Sequence, residues 1–73
     1  MTKKVLCRFM INGKVLKLVE RPELGGRWTD YLIMDGRKRA ENTGIYNTYS
    51  IAWESFCNLC NEYFDYVMEG GAL

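Results

Sequence analysis

The first twenty residues hold two runs of β-branched, aromatic and aliphatic residues, 4–11 and 14–20, which have the composition of β-strands. Asn12-Gly13 separates them. Asn-Gly between two such runs is a strong signal for a hairpin, because both central residues of a type I′ turn take positive φ. The pattern therefore predicts an antiparallel pair of strands joined by a two-residue turn.

A two-residue turn also fixes which side chains share a face of this hairpin. In this register Phe9 faces Leu16, and Arg8 faces Lys17. The two facing cations either extend separately into solvent or form a site for an anion. The predicted core face comprises Val5, Cys7, Phe9, Ile11, Leu16 and Leu18. The opposite face comprises Leu6, Arg8, Met10, Val15, Lys17 and Val19.

A second hairpin is predicted after a loop. Residues 20–27, which include one proline and two adjacent glycines, have the composition of a loop. Residues 28–34 are the predicted third strand, Asp35-Gly36 is the second turn, and 37–41 form the fourth strand. The fourth strand is rich in charge, which is typical of an edge strand that resists pairing with other chains.

The C-terminal third of the chain has the period of an amphipathic helix. Thr48 is the expected N-cap, the helix is predicted over residues 49–69, and Gly70-Gly71 ends it. Its apolar residues occupy one arc of roughly 180–200°, whereas a helix on one sheet needs somewhat more than ~100°. The surplus predicts a second contact surface. The arc comprises Ala52, Trp53, Phe56, Cys57, Leu59, Cys60, Tyr63, Phe64, Val67 and Met68.

One margin of this arc is the expected contact surface for a partner. It comprises Trp53, Cys57, Phe64 and Met68. The predicted helix spans about 31 Å and a seven-residue strand about 23 Å, so the last turns of the helix should extend beyond the sheet. That overhang adds Tyr66 to the expected contact residues. The alternatives are longer strands or a bent helix, either of which removes the overhang.

These elements predict an α+β fold in which three or four antiparallel strands, arranged as two hairpins, pack against one long C-terminal helix. The 73 residues are expected to form a single domain. A chain of this size buries only about 60% of its unfolded surface, so a supplement such as oligomerisation is often needed. Aromatic residues make up 14% of the chain, which is more than one small core hides. A homodimer through the helix margin is therefore one expected assembly.

Charge divides the chain into a basic and an acidic part. All ten Lys and Arg residues lie at or before Arg39, whereas five of the nine acidic residues follow it. Cations close to Trp28 and Tyr31 form a mixture typical of nucleic-acid-binding sheets. The net charge of +1 argues against strong binding of this kind, and a solvated surface is the alternative. The predicted basic face comprises Arg8, Lys17, Arg37, Lys38 and Arg39.

The acidic residues of the predicted helix lie on the side opposite its apolar arc. Carboxylates along a rigid helix can occupy a basic groove of a partner in place of phosphates. The alternative is an ordinary solvated helix surface. This acidic face comprises Glu54, Glu62, Asp65 and Glu69.

Residues that usually carry catalysis or bind metals are sparse. The chain has no His, which removes the commonest general base. Cys57 and Cys60 form a C-x-x-C pair well inside the predicted helix, whereas redox pairs lie at a helix N-terminus. With Cys7 they make three thiols, and a structural zinc site takes four ligands. We therefore expect reduced core thiols, no metal, no cofactor and no enzymatic activity.

The cellular location is predicted from what the sequence lacks. It has an odd number of cysteines, no signal peptide pattern and no apolar segment of the ~20 residues that a membrane span needs. These features predict a cytoplasmic protein that does not contact membranes.

Together these features favour a non-enzymatic protein-interaction domain whose partner is another protein. Small size, abundant aromatic residues and divided charge are typical of short accessory proteins of phages and mobile elements, which inhibit host machinery by stoichiometric binding. A nucleic-acid-binding module that uses the basic face is the alternative. A metal or redox site at Cys57 and Cys60 is a third hypothesis.

Overall fold

A computed structural model describes residues 3–22 and 28–72. It confirms the predicted α+β arrangement: an antiparallel sheet packs against a single C-terminal helix. The strands lie in the order β1-β2-β3-β4, and β5 also pairs with β3. The elements are β1 (Lys4–Ile11), β2 (Lys14–Pro22), β3 (Thr29–Asp35), β4 (Lys38–Arg39), β5 (Ile45–Tyr46) and α1 (Tyr49–Met68).

The first hairpin has the predicted turn. Asn12 and Gly13 take φ of 48° and 82°, as a type I′ turn requires, and Arg8 faces Lys17 as expected. The prediction fails at the start of β1, where the register shifts between Val5 and Cys7. This β-bulge adds a residue to one strand, so Val5 pairs on the face opposite Cys7, outside the core.

The second hairpin lies one residue later than predicted. Asp35 pairs with Lys38, so the central turn residues are Gly36 and Arg37 rather than Asp35-Gly36. Gly36 takes a φ of 68°, as the first position of a type II′ turn requires. The expected loop also begins later, because β2 continues to Pro22; residues 23–27 lie outside the described part of the chain.

The far edge of the sheet consists of two short strands rather than the single strand predicted over 37–41. After β4 the amide of Ala40 donates to the carbonyl of Ile33 at 2.9 Å. The hydroxyl of Thr43 donates to the carbonyl of Ala40 at 2.6 Å, and Asn42 takes a φ of 62°. This turn directs the chain back to β3, where it forms β5.

The helix begins after Thr48 as expected, but the Thr48 side chain makes no capping hydrogen bond. It ends at Met68, one residue earlier than predicted. Gly70 takes a φ of 91°, and its amide donates to the carbonyl of Val67, while the Gly71 amide donates to that of Tyr66. This pair of bonds is a Schellman motif, in which glycine supplies the left-handed residue.

The core lies between the sheet and the first half of α1. Partly buried residues surround it, and the last of these along the helix is Tyr63. The final turn of α1 therefore extends past the packed interior. The fully buried cluster comprises Leu16, Leu18, Ile33, Ala40, Ala52 and Phe56.

Candidate interaction surfaces

One side of α1 carries a row of apolar side chains in partial or full contact with solvent, which we call the helix strip. Trp53 is 40% exposed, Phe64 50% and Met68 69%, and Cys57 is half-buried. Tyr49, one turn before Trp53 and 47% exposed, continues the row. The helix strip thus comprises Tyr49, Trp53, Cys57, Phe64 and Met68.

Tyr49 was missing from the predicted contact residues, and Tyr66 lies apart from the helix strip. Tyr49 could have been identified from its spacing, because it lies four residues before Trp53 and residues four apart are neighbours on a helix surface. Tyr66 is two positions from Phe64, which places it about 200° further round the helix. It is half-exposed and packs against Gly71 at the end of the helix.

Ring contacts fix the first half of the helix strip. The Tyr49 ring meets that of Tyr31 edge-on, with centroids 5.8 Å apart. Tyr49 stacks on Trp53 at 6.3 Å, and Trp53 packs against the buried Phe56 at 6.0 Å. Such pairs contribute beyond the area that they bury, so two exposed rings are held in place by two rings packed on the core.

The helix strip lies on the β1 side of the molecule. On the other side of α1, a groove of about 450 Å³ separates the helix from the segment that links β4 and β5, and Ser55, Leu59 and Glu62 line it. On the β1 side, Cys60 of α1 and Cys7 of β1 both pack against the core cluster. The helix strip therefore faces the β1 side of the sheet, away from this groove.

All three cysteines are partly buried free thiols, and Cys7 and Cys60 pack against the core cluster. Burial, with a smaller contribution from negative charge on Cys57 and Cys7, raises the pKa of Cys60 from 9.0 to about 11. A thiol with this pKa stays protonated at neutral pH and is a poor nucleophile or metal ligand. Within residues 3–22 and 28–72, no cluster of three His, Cys, Asp or Glu residues has the geometry to hold a metal ion.

The structure divides the predicted basic face. On the sheet face opposite α1, here called the open face, Arg8 faces Lys17, Lys17 faces Met34, and Met34 faces Arg39. Three cations therefore form one row across four strands. Lys38, by contrast, pairs with Asp35 on the face that α1 covers, and Arg37 lies in the turn. Lys38 and Arg39 are adjacent in β4, and successive residues of a strand lie on opposite faces of the sheet. The shifted second turn adds to this division by placing Arg37 in the turn instead of opposite Met34.

Beside the row of cations the open face is apolar. Val19 and Leu32 are adjacent and almost fully buried there, and their neighbours Val5 and Ile45 are partly exposed. An ion pair between Arg21 and Asp30, 3.2 Å apart, closes one end of this patch. The open face thus offers positive charge, and its accessible apolar area is at Val5, Met10 and Ile45 rather than at the buried Val19 and Leu32.

A second ion pair belongs to the face under the helix. The ammonium of Lys14 lies 3.1 Å from the carboxylate of Asp35 and 5.6 Å from the centre of the Tyr63 ring. The hydrogen bond to Asp35 raises the pKa of Lys14. Because this cation is engaged beneath α1, it does not add to the row of cations on the open face.

The acidic residues of α1 are all exposed on its outer surface, away from the sheet. The open face and the outer helix surface are the two opposite surfaces of a two-layer fold. The division of charge along the chain therefore becomes a division across the molecule. These outer residues are Glu54, Glu62, Asp65 and Glu69.

In the described ranges, no helix combines the length and apolar character needed to cross a membrane. Comparison of the chain with family models, curated proteins and solved structures gives no significant match.

Proposed function

We propose that this chain is a non-enzymatic protein-interaction domain that binds another protein through the helix strip. The observation that carries the proposal is the exposure of Trp53, Phe64 and Met68 along one side of a helix whose inner side is packed on the sheet. Aromatic residues and Met are enriched in the buried centres of protein interfaces.

The geometry of the helix strip supports this proposal. The Tyr49 and Trp53 rings are held by contacts to Tyr31 and Phe56, so binding would cost little side-chain entropy. Carboxylates such as Glu54 and Asp65 lie further round the same helix and would favour a partner with basic residues at the rim of its binding site.

We further propose that the protein acts by stoichiometric occupation of a partner's binding surface, in the manner of short accessory inhibitors of phages or mobile elements. The small size of the domain and its rigid exposed helix support this mode of action. The free thiols of Cys7, Cys57 and Cys60 fit a reducing compartment such as the cytoplasm.

Site-specific photocrosslinking tests the proposal. A photoreactive phenylalanine replaces Phe64 in one variant and Ile51 in a control variant. Ile51 is 54% exposed on another side of the same helix. We expect a different protein to crosslink from position 64 and not from position 51, and to bind the purified domain at one-to-one stoichiometry. Equal crosslinking from both positions, or no protein captured from position 64, contradicts the proposal.

Nucleic-acid binding is a second candidate function, favoured by the row of Arg8, Lys17 and Arg39 on the open face. Titration of labelled single- and double-stranded DNA and RNA over a range of salt concentrations tests it. If these cations contact phosphates, the Lys17→Glu/Arg39→Glu variant should lose affinity and reduce the salt slope by about 0.7–0.9 per contact.

The control for this titration is Lys38→Glu, because Lys38 lies on the other face of the sheet. It should bind as the unmodified protein does. Binding that is insensitive to salt, or that Lys38→Glu weakens as much as the double variant, would exclude the open face as a nucleic-acid site.

A further inference from the structure

We propose that the helix strip and the outer edge of β1 together bind a second copy of this chain, forming a two-fold symmetric dimer with a continuous sheet. This inference rests on the proposed function, because it takes the helix strip as a contact surface and names an occupant for it. Two neighbouring features on one side of the molecule carry the inference: an open strand edge and an exposed apolar strip.

The open edge belongs to β1, the first strand in the sheet order. No strand of the described chain pairs with its outer side. The Asn12-Gly13 turn ordinarily bonds the Lys14 amide to the Ile11 carbonyl, and bonded pairs alternate along an antiparallel ladder. Arg8 and Met10 therefore direct their backbone N–H and C=O groups outward. At eight residues β1 offers a long template for strand pairing.

A second copy covers both features at once. When it is rotated by 180° about an axis perpendicular to the sheet, its β1 edge meets the first β1 edge, and its helix strip meets the first helix strip. Such self-complementarity is the defining property of a two-fold interface. A partner that contributed only a strand or only a helix would leave the other feature uncovered.

Pairing rules select the register of this dimer. Outward backbone groups must meet outward groups, so Arg8 of one copy lies opposite Arg8 or Met10 of the second copy. Pairing Arg8 with Arg8 would place two cations face to face, which is unfavourable in a sheet. Pairing Arg8 with Met10 avoids this and places the two-fold axis at Phe9, in the middle of the strand.

The helix runs in the same direction as β1, and this determines which ends meet. Tyr49 contacts Tyr31, which lies at the end of the sheet where β1 begins. Tyr63 lies over Lys14, which pairs with the last residue of β1, Ile11. The final turn of α1 therefore extends beyond the far end of β1.

Charge complementarity at these ends favours a second copy. Asp65 and Glu69 lie in the overhang, and Lys3 and Lys4 lie at the start of β1, all exposed. With the axis at Phe9, Cys7 of the second copy is level with Ile11 and Lys14, and its Lys4 lies two to three residues further along, where the overhang of α1 begins. The basic start of each strand then lies beside the acidic end of the other helix. The antiparallel helices also bring opposite ends of their macrodipoles together.

Sedimentation equilibrium over micromolar to millimolar concentrations tests the proposal with three variants. We expect the unmodified protein to dimerise, and Phe64→Glu and Met10→Pro each to weaken the dimer about tenfold or more. Ile51→Glu is the control and should leave it unchanged, since Ile51 is similarly exposed on another side of α1. Proline at an edge position with an outward N–H is compatible with the hairpin, and circular dichroism verifies the fold.

Amide hydrogen exchange of the unmodified protein provides an independent measurement. Exchange at Arg8 and Met10 should slow as concentration rises, because these amides become bonded in the dimer. A monomer at millimolar concentration, exchange at these amides that does not depend on concentration, or equal weakening by Ile51→Glu and Phe64→Glu would each overturn the dimer.

The two proposals can fail separately. A monomer that crosslinks another protein from position 64 overturns the dimer and leaves the proposed function standing. A dimer that crosslinks only to its own copy from position 64 supports the dimer and contradicts binding to a different protein.

Discussion

The packing of α1 can be tested by truncating two phenylalanines of the same helix. Phe56 is 3% exposed and lies in the core cluster, whereas Phe64 is 50% exposed in the last turns of α1. Substitution of either by alanine makes the same covalent change. The two substitutions differ only in what surrounds the side chain. The difference between their losses in free energy of unfolding therefore shows where along α1 the packed interior ends.

The expected cost of Phe56→Ala follows from its burial. Replacing a buried phenylalanine by alanine costs about 3–5 kcal/mol, including the cavity left behind. We expect the lower half of this range, because the neighbouring Trp53 ring is partly exposed and can move into the cavity. For 73 residues, a free energy of unfolding of about 4–11 kcal/mol is typical. Phe56→Ala should therefore remove a large part of it.

Phe64→Ala should cost less than about 1 kcal/mol, since a half-exposed side chain loses little burial. Urea titration followed by far-ultraviolet circular dichroism measures both values without relying on Trp53 fluorescence, which the loss of the Phe56 ring would change. Equal costs for the two variants, or a loss below about 1 kcal/mol for Phe56→Ala, would refute the described position of α1 on the sheet.

Three further predictions concern the ends and the charges of the fold. Gly70→Ala should cost about 1 kcal/mol, because the φ of 91° strains any residue with a Cβ; thermal unfolding should show a decrease in Tm of roughly 4–8 °C. The folded state holds the Cys60 proton to a higher pH than the unfolded chain does, so the free energy of unfolding should fall as pH rises from 9 to about 11; in Cys60→Ala, urea titrations should show a smaller fall. Asp35→Asn removes the partner of Lys14, and denaturation at low and high salt should show a small loss of stability that salt diminishes.

The sequence predicts those parts of the fold in which local chemistry permits a single solution. Asn12-Gly13 specifies its turn type, and the helical wheel identifies both the core side and the exposed side of α1. The second turn was predicted one residue too early because Asp35-Gly36 and Gly36-Arg37 are both acceptable two-residue turns. Tertiary packing decides between them, and it places the residue after β4, Ala40, in the core.

The candidate surfaces also differ in how far the sequence alone predicts them. The helix strip follows from the period of α1, so residues such as Phe64 could be identified from sequence. The row of cations depends on strand register, because the shifted turn pairs Arg39 with Met34 and so aligns it with Lys17. Lys38, its neighbour in β4, lies on the other face in either register. The bulge at Val5 and the two-residue strand β5 have no sequence signal that distinguishes them from an ordinary strand and an ordinary loop.

The position of α1 after the five strands of the described ranges has a consequence for biosynthesis. While the ribosome is still translating the helix, the apolar sheet face formed by Leu16, Leu18 and Ile33 has no cover. It gains one only when Ala52 and Phe56 have been added. A nascent chain that stops before the helix carries an exposed apolar face and unpaired strand edges, the features that promote aggregation. We expect such fragments to be retained by chaperones or degraded, so that translation of the helix determines which chains become mature protein.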